Sequence, residues 1–470
     1  MKKEVYNPYL PGWEYIPDRE PHVFDGRLYI FGSHDRAGGT DYCQNDYVAW
    51  SAPAEDLSDW KYEGVIYRRS QHPKGNGKLG IYAPDVCCGP DGKYYLYYSA
   101  QDSSIISVAV SDSPAGKYAY LGDIQDQGRR VLGTKETDWF QFDPSVLVDI
   151  DGRIWLYSGS GQTTNKKLGH PIVGCFVMEL EKDMLTVKAG PKLLLEANYN
   201  LFKPSFFEGA SARHIGEWYY LVYPTSNMTG LNYAMSRYPD RGFVHKGSIH
   251  SSSDIGLDGI GLVTAKYPVG NSHGGLVCVK NQWYIFDHRM TNCTLFSRQG
   301  VAEPIKFNED GTINMVEATS CGLNGGPLKG ESIYPAYIAC NLIKQKGIRK
   351  RYPYVTQDEP DYSPEESSRK PPSPYLCGVK NRAIAGYKYF DFQQVTKIRL
   401  SVRGKATGEL RLKTEEKNGI VSILRVNTDS EEWVEISGNF KPKDGKTAFY
   451  IQFRGKGTLD IRDFEFIRKA

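Results

Sequence analysis

The phrase DGRLYIFGS (25–33) returns as DGKYYLYYS (91–99) and DGRIWLYSG (151–159), and more loosely as IGEWYYLVY (215–223) and KNQWYIFDH (280–288). Its turn position falls at Gly26, Gly92, Gly152, Gly216 and Asn281, in steps of 66, 60, 64 and 65 residues. A nearly constant long period marks a repeat architecture. Each phrase follows a short apolar run (HVF, DVCC, SVLVDI, SARHI, GLVCV) and opens an aromatic strand, the sequence form of a β-hairpin. The Asp-Gly pairs supply the positive φ that a two-residue hairpin turn demands. Further strand candidates lie between the hairpins, such as YVAWSA (47–52) and ISVAVSD (106–112). Roughly four strands in a unit of about 60 residues fit a propeller blade with room for loops on one face. The repeat predicts an all-β chain that opens with a five-bladed β-propeller and holds no helix of consequence.

The repeat stops near residue 325. YPAYIACNLI (334–343) is strand-like, and QDEPDYSPEESSRKPPSP (357–374), rich in Pro, Ser and charge, reads as a long exposed loop or linker. From Tyr387 the runs IRLSVRG, GELRLKTE, TAFYIQFRG and TLDIRDFEFI alternate with period two, the pattern of a β-sandwich. Two domains are expected: the propeller over 1–325, and a β-sandwich (jelly-roll) over 326–470 that contains the Pro-rich stretch. The full length of 470 residues accommodates two such cores.

Composition narrows the function. Lys and Arg total 58 against 55 Asp and Glu, so a formal +3 creates no field that would draw nucleic acid or an anionic membrane. No apolar run reaches the length of a membrane span. The opening MKKEVYNPYLPGWEY has no apolar stretch behind its lysines, so a cytoplasmic location is expected. Nine cysteines, an odd count without a C-x-x-C pair, read as free thiols in a reducing compartment. Aromatics make up 13% of the chain, and Tyr contributes 33 of them, which suits polar, ring-lined surfaces.

Ionisable residues stand just upstream of each first strand: Asp18 and Glu20 (IPDREP), Asp85 (APDV), Asp143 (FDPS), Glu208 (FEGAS) and His273 (NSHGG). Counted to the second aromatic-strand position, Asp85 to Tyr95 is 10, Asp143 to Trp155 is 12, and Glu208 to Tyr219 and His273 to Tyr284 are each 11. The innermost strand of a blade starts near the axis, so these side chains converge on one central pocket. One Asp before a strand is ordinarily a turn or cap residue. Five register-matched positions carrying only Asp, Glu or His point instead to a site whose cost is kept for function. Asp25, Asp91 and Asp151 belong to the hairpin turns and carry no chemistry. Two carboxyls flanking a bond, one protonated and one ionised, are the equipment of glycoside hydrolysis, and a third carboxylate raises the acid by repulsion.

These residues resemble glycoside hydrolase family 43 over residues 6 to about 310. The resemblance rests on NPYLPG, Asp143 in DPSV, Glu208 in EGAS, His273 in SHGGLVCVKNQWYIFDHR, and DYVAWSAPAEDLSDW (46–60). It implies a five-bladed propeller and an inverting mechanism with Glu208 as general acid and Asp143 as the residue that tunes it. The family's base Asp commonly precedes Pro, which selects Glu20 before Pro21. Strand counting selects Asp18, which lies 11 residues before Tyr29 where Glu20 lies 9. Asp18 is favoured, with Glu20 kept as the alternative and as a sugar contact. His273 resembles the family's central histidine, which often lies beside a calcium or other cation at the propeller axis. Such an ion would be structural, since the chemistry requires no cofactor. Asp85 and Arg289 are expected as substrate contacts, and Tyr82, Trp139 and Phe140 as rings shaping the sugar subsite, with inter-blade core as their other reading. The C-terminal domain resembles carbohydrate-binding family 6.

The expected activity is exo-hydrolysis of terminal α-L-arabinofuranose, or β-D-xylose, from plant oligosaccharides, with an exo-galactosidase ranked third. A sugar-binding propeller without chemistry is the alternative from another class. Loop-set pocket depth decides between the sugars, through the 51–80 and 198–208 connections.

Overall fold

The computed structural model describes residues 3–161, 172–197, 205–227, 229–344, 353–365 and 368–469. Five antiparallel sheets follow one another along the chain. The first pairs Glu20–Phe24, Arg27–Phe31, Tyr47–Pro53 and Lys61–Tyr67 in sequence order. The second runs Ile81–Cys88, Tyr94–Ala100, Ile106–Ser111 and Ala119–Asp123, and the third Ser145–Val148, Ile154–Ser160, Gly174–Leu180 and Val187–Leu195. The fourth comprises Ser211–Ile215, Trp218–Pro224, Leu231–Ser236 and Val244–His250; the fifth, Leu276–Val279, Gln282–Met290 and Arg298–Ile305, has three strands. This is the five-bladed propeller. Every predicted turn residue has positive φ: Gly26 74°, Gly92 80°, Gly152 80°, Gly216 62° and Asn281 69°. Among the described residues the only helical pieces are short 3₁₀ turns.

Aromatic strands pack blade on blade. Tyr29, Phe31, Leu96 and Tyr98 share a core between the first two blades, and Trp155, Tyr157, Leu221 and Tyr223 another between the third and fourth. The ring closes where Arg19 bridges Gly274 in parallel, joining the first blade to the fifth. Asn7, in the NPYLPG segment, seals the fifth blade. Its Nδ2 donates to Ala302 O (3.1 Å), Glu303 Oε1 (2.9 Å) and Thr319 O (3.0 Å), and its Oδ1 accepts Ala302 N–H at 3.0 Å.

Beyond Ile305 the chain forms a nine-stranded sheet wrapped around its own core of Leu400, Phe449, Phe464, Phe466 and neighbours. In the region expected as a β-sandwich, the strands Val395–Lys413, Ile420–Asn439 and Gly445–Arg468 are long enough to curl one connected sheet over itself. The Pro-rich stretch, whose residues 366–367 lie outside the described set, is tied to the first blade. Asp361 accepts Ala37 N–H (3.1 Å) and Asn45 Nδ2–H (3.0 Å), Glu365 accepts Val65 N–H (2.9 Å), and Tyr362 packs edge-on against Trp13 at 4.7 Å.

Asn7→Ala leaves several buried groups without partners, each costing about 1 kcal/mol or more. A loss of about 2–4 kcal/mol is expected from the shift in denaturant midpoint; an unchanged midpoint would show that the ring closes without this side chain.

Candidate active site

The inner strands carry two tiers of polar side chains. Four of the five heads contain a residue with positive φ: Asp18 (53°), Ala83 (40°), Asp143 (45°) and Gly209 (61°). For non-glycine residues this is a strained backbone held by its surroundings. Glycine is required at 209, because a Cβ there would lie 2.9 Å from His273 Nδ1. Two residues further along each strand come Glu20, Asp85, Ser145 and Ser211.

The upper tier faces a cavity of about 560 Å³ lined by Asp18, Asp143, Glu208 and His273. His273 Nδ1 lies 3.9 Å from Asp18 Oδ1 and 3.8 Å from Asp143 Oδ2. Tyr42, Tyr82, Phe142 and Phe207 supply rings, Val269 and Leu295 aliphatic wall, and Asn227, Asn271 and Arg298 polar groups. Such a mixture suits a sugar, with C–H faces against rings and hydroxyls met by a few polar groups.

The lower tier joins blades. Ser211 Oγ donates to Glu20 Oε2 (2.9 Å), Ala212 N–H to Ser145 Oγ (3.0 Å), and Val146 N–H to Asp85 Oδ2 (2.8 Å). His22 Nε2 lies 2.7 Å from Asp85 Oδ1, and Arg213 NH2 2.7 Å from Glu20 Oε2. The expected ring of five is thus divided. Asp18, Asp143, Glu208 and His273 reach the pocket; Glu20 and Asp85 are buried beneath it and do not line it.

Arg298 organises the charge. Its NH1 donates to Asp18 Oδ1 at 2.8 Å, while Nε and NH2 grip Asp35 Oδ2 and Oδ1 at 2.8 and 3.1 Å. Tyr42 lies across the guanidinium, 4.9 Å from its ring centre. Burial works to raise the Asp18 carboxyl, but the Arg298 guanidinium outweighs it and holds Asp18 at about 2. Glu208 is pushed up to about 8 by burial and then by the Asp18 charge. Asp143 is also raised, by burial and by the charges of Glu208 and Asp18. Near neutrality the pocket therefore holds an ionised Asp18 facing a protonated Glu208, with the Asp143 carboxyl held above the ordinary carboxylate range.

Three further residues considered as sugar contacts, Arg289, Trp139 and Phe140, do not line the cavity. Arg289 points away from the pocket into the C-terminal sheet, donating to Ala339 O (2.8 Å) and Tyr337 O (2.6 Å). The pocket's arginine is Arg298, delivered by the next strand. Trp139 is inter-blade core beside Phe176 and Met178. Phe140 stacks at 5.6 Å on Phe142, and Phe142 rather than Phe140 lines the cavity. Tyr82 lines it as expected. Sequence reading missed Arg298, Tyr42 and Leu295, which reach the cavity from outside the heads of the repeat, and Phe142, Phe207 and Asn271, which stand one or two residues before a head residue. Of the 198–208 connection, 198–204 lie outside the described residues.

The cation that the resemblance allows was sought in the donor geometry. Among the described residues, the ligand atoms that converge within 4.8 Å belong to Glu20, His22 and Asp85. His22 is spent on Asp85, and Arg213 already neutralises Glu20. A calcium wants six to eight oxygens. As placed, these side chains do not fit it.

The family model for glycosyl hydrolases family 43 matches residues 15–313. A xylosidase/arabinosidase of Thermoclostridium stercorarium is 41% identical over 486 residues, covering 99% of each chain. An arabinoxylan arabinofuranohydrolase of Paenibacillus polymyxa is 25% identical, covering 94% of this chain and 71% of that protein. Among solved structures, a family 43 arabinoxylan arabinofuranohydrolase from Bacillus subtilis covers 98% of this chain and 97% of its own, with TM-score 0.53 at 20% identity, a likeness of fold. A family 43 β-xylosidase/α-arabinofuranosidase from a compost metagenome, solved with xylotriose, is 26% identical over 64% of this chain and 94% of its own, with TM-score 0.51.

The raised Glu208 has a cost. Its folded pKa lies above the unfolded value, so the stability lost to it grows as pH rises from the ordinary carboxylate range to about 8. Glu208→Gln removes that loss. Melting curves at pH 5 and pH 8 should lie closer together in the variant than in the parent; an equal gap would place Glu208 outside the charged cluster.

Proposed function

This chain belongs to glycosyl hydrolases family 43, and we propose that it is an inverting exo-glycosidase removing terminal α-L-arabinofuranosyl or β-D-xylosyl residues from plant oligosaccharides such as those of arabinoxylan. The propeller, over 1–325, is its catalytic domain, and the segment from 326 an accessory domain. The observation that carries the reading is the pairing of an ionised Asp18 with a Glu208 that stays protonated to about pH 8 in one sugar-sized cavity. The pentose follows from the xylosidase/arabinosidase relatives.

In this mechanism Asp18 takes a proton from water on one face of the sugar while Glu208 protonates the departing oxygen on the other. Asp143, whose carboxyl is raised by burial and by its two carboxylate neighbours, lies beside the pair as the residue that tunes the acid. Water attacks C1 as the glycosidic bond breaks, so the anomeric configuration inverts. Carboxyls and water complete the proton account. Glu20, tied to Arg213 and Ser211, has its carboxylate committed to the blade seam, which favours Asp18 as base.

Glu208→Gln should abolish turnover of xylobiose or an arabino-oligosaccharide, while aryl pentosides, which need little protonation, lose much less. Parental kcat/KM on the unactivated substrate should fall about tenfold per pH unit above about 8. Equal losses on both substrates, or no alkaline limb, removes Glu208 from the acid role.

Asp18→Ala should lose activity on both substrate types and recover with azide, which replaces the attacking water. Azide recovery in Glu20→Ala instead would make Glu20 the base. No turnover of any pentoside or galactoside by the parent, with sugar still bound, would leave a binding propeller.

A further inference from the structure

His288 lies directly behind the base and is fully buried. Its Nδ1 accepts the backbone N–H of Asp18 at 3.3 Å, which requires a bare Nδ1. The proton then sits on Nε2, which donates to Asn271 Oδ1 at 3.1 Å. One neutral tautomer satisfies both bonds, and no other protonation state does. The titratable and charged groups facing the ring are Arg298, Asp18, Arg19 and His273; burial and the two arginines hold the imidazole well below its ordinary value.

Each bond has a consequence in the pocket. Asp18 sits at φ 53°, a backbone that an aspartate leaves unless it is held. Arg298 fixes its carboxylate, but His288 is what holds its amide. Asn271 lines the cavity, and with Oδ1 engaged its NH2 is the group left to meet a sugar hydroxyl.

We propose that His288 is a positioning residue that sets two things with one ring: the direction of the Asp18 carboxylate toward water, and the orientation of the Asn271 amide toward the bound sugar. This rests on Asp18 being the base. An imidazole that turned over, or gained a second proton, would lose the Asp18 amide.

The test compares His288→Leu, His288→Gln and Asn271→Ala on an aryl pentoside and on xylobiose. Misplacing a base by about 1 Å costs about 100-fold, so His288→Leu should lose about that much kcat on both substrates alike and raise KM. Asn271→Ala should reproduce the KM part. His288→Gln keeps one acceptor and one donor and should recover at least about tenfold of the kcat that Leu loses. Folding alone cannot produce that pattern, because Leu and Gln fill similar space. If His288→Leu does not fold, a folded His288→Gln with near-parental kcat supports the assignment, and a folded but inactive one overturns it. A loss confined to xylobiose overturns it as well, since that would be a defect on the acid side. Should Asp18→Ala fail to recover with azide, the parent reading falls; should it recover while His288→Leu keeps its kcat, only the positioning role falls.

Discussion

The Arg298 guanidinium, bound to Asp18 on one side and to Asp35 on the other, is the interaction on which the pocket depends. Three carboxyls crowd a site largely shielded from water, and burial alone would leave all of them neutral. A neutral trio has an acid but no base. Arg298 reaches Asp18 at 2.8 Å and is not bonded to Glu208 or Asp143, so it selects which carboxyl ionises. The charge on Asp18 then repels ionisation of the other two. One cation thereby sets opposite protonation states within one cavity, the division of labour that acid–base cleavage needs. Asp35 aims that cation: Cys43 N–H and Arg298 N–H both donate to its carboxylate, so the pair is anchored on two backbones.

The blade geometry keeps this chemistry apart from assembly. Strand residues two apart share a face, so a head residue and its i+2 neighbour point along the same axis at different depths. The upper positions carry the pocket-facing carboxyls and strained backbones. The lower ones, Glu20, Asp85, Ser145 and Ser211, bond across seams to Arg213, His22 and neighbouring amides. Strain of about 1–3 kcal/mol per left-handed residue is offset where several seam bonds hold the same strand end. His273 spans the tiers, with Nδ1 toward Asp18 and Asp143 and Nε2 3.8 Å from Glu20.

Much of this was legible in the sequence because a hairpin repeat writes its own register. The five turns, the blades and the four pocket-facing members at positions 18, 143, 208 and 273 follow from Asp-Gly spacing and strand counting. Depth was not legible. Asp85 sits behind a register irregularity between Tyr82 and Asp85, so a count along the strand places it one tier too high. Arg289 and Arg298 look alike in sequence; which one faces the axis is decided by the loop between their strands. Tyr42 and Leu295 come from connections without period, where no repeat can assign them. Trp139 reads as a sugar platform by proximity to Asp143, yet Phe176 and Met178 enclose it.

The C-terminal sheet enters the chemistry through those same irregular connections. The loop that leads to Arg298 carries Asn292, whose N–H donates to Val355 O at 2.8 Å and whose Oδ1 accepts Thr356 Oγ1–H at 2.6 Å. On the opposite side, Asp361 grips Ala37 and Asn45, which bracket the loop bearing Tyr42 and Cys43. Both loops that surround the Arg298–Asp18 pair are therefore pinned to the second region. Isolated surface loops open at little cost in free energy, and a guanidinium delivered by such a loop would hold Asp18 only part of the time. Pinning each loop to a folded sheet raises that opening cost toward the cost of separating the two regions, which Arg289 and the buried Lys388–Glu317 contact of 2.7 Å resist. The charge state of Asp18 is thus coupled to the contacts that pin these loops to the C-terminal region.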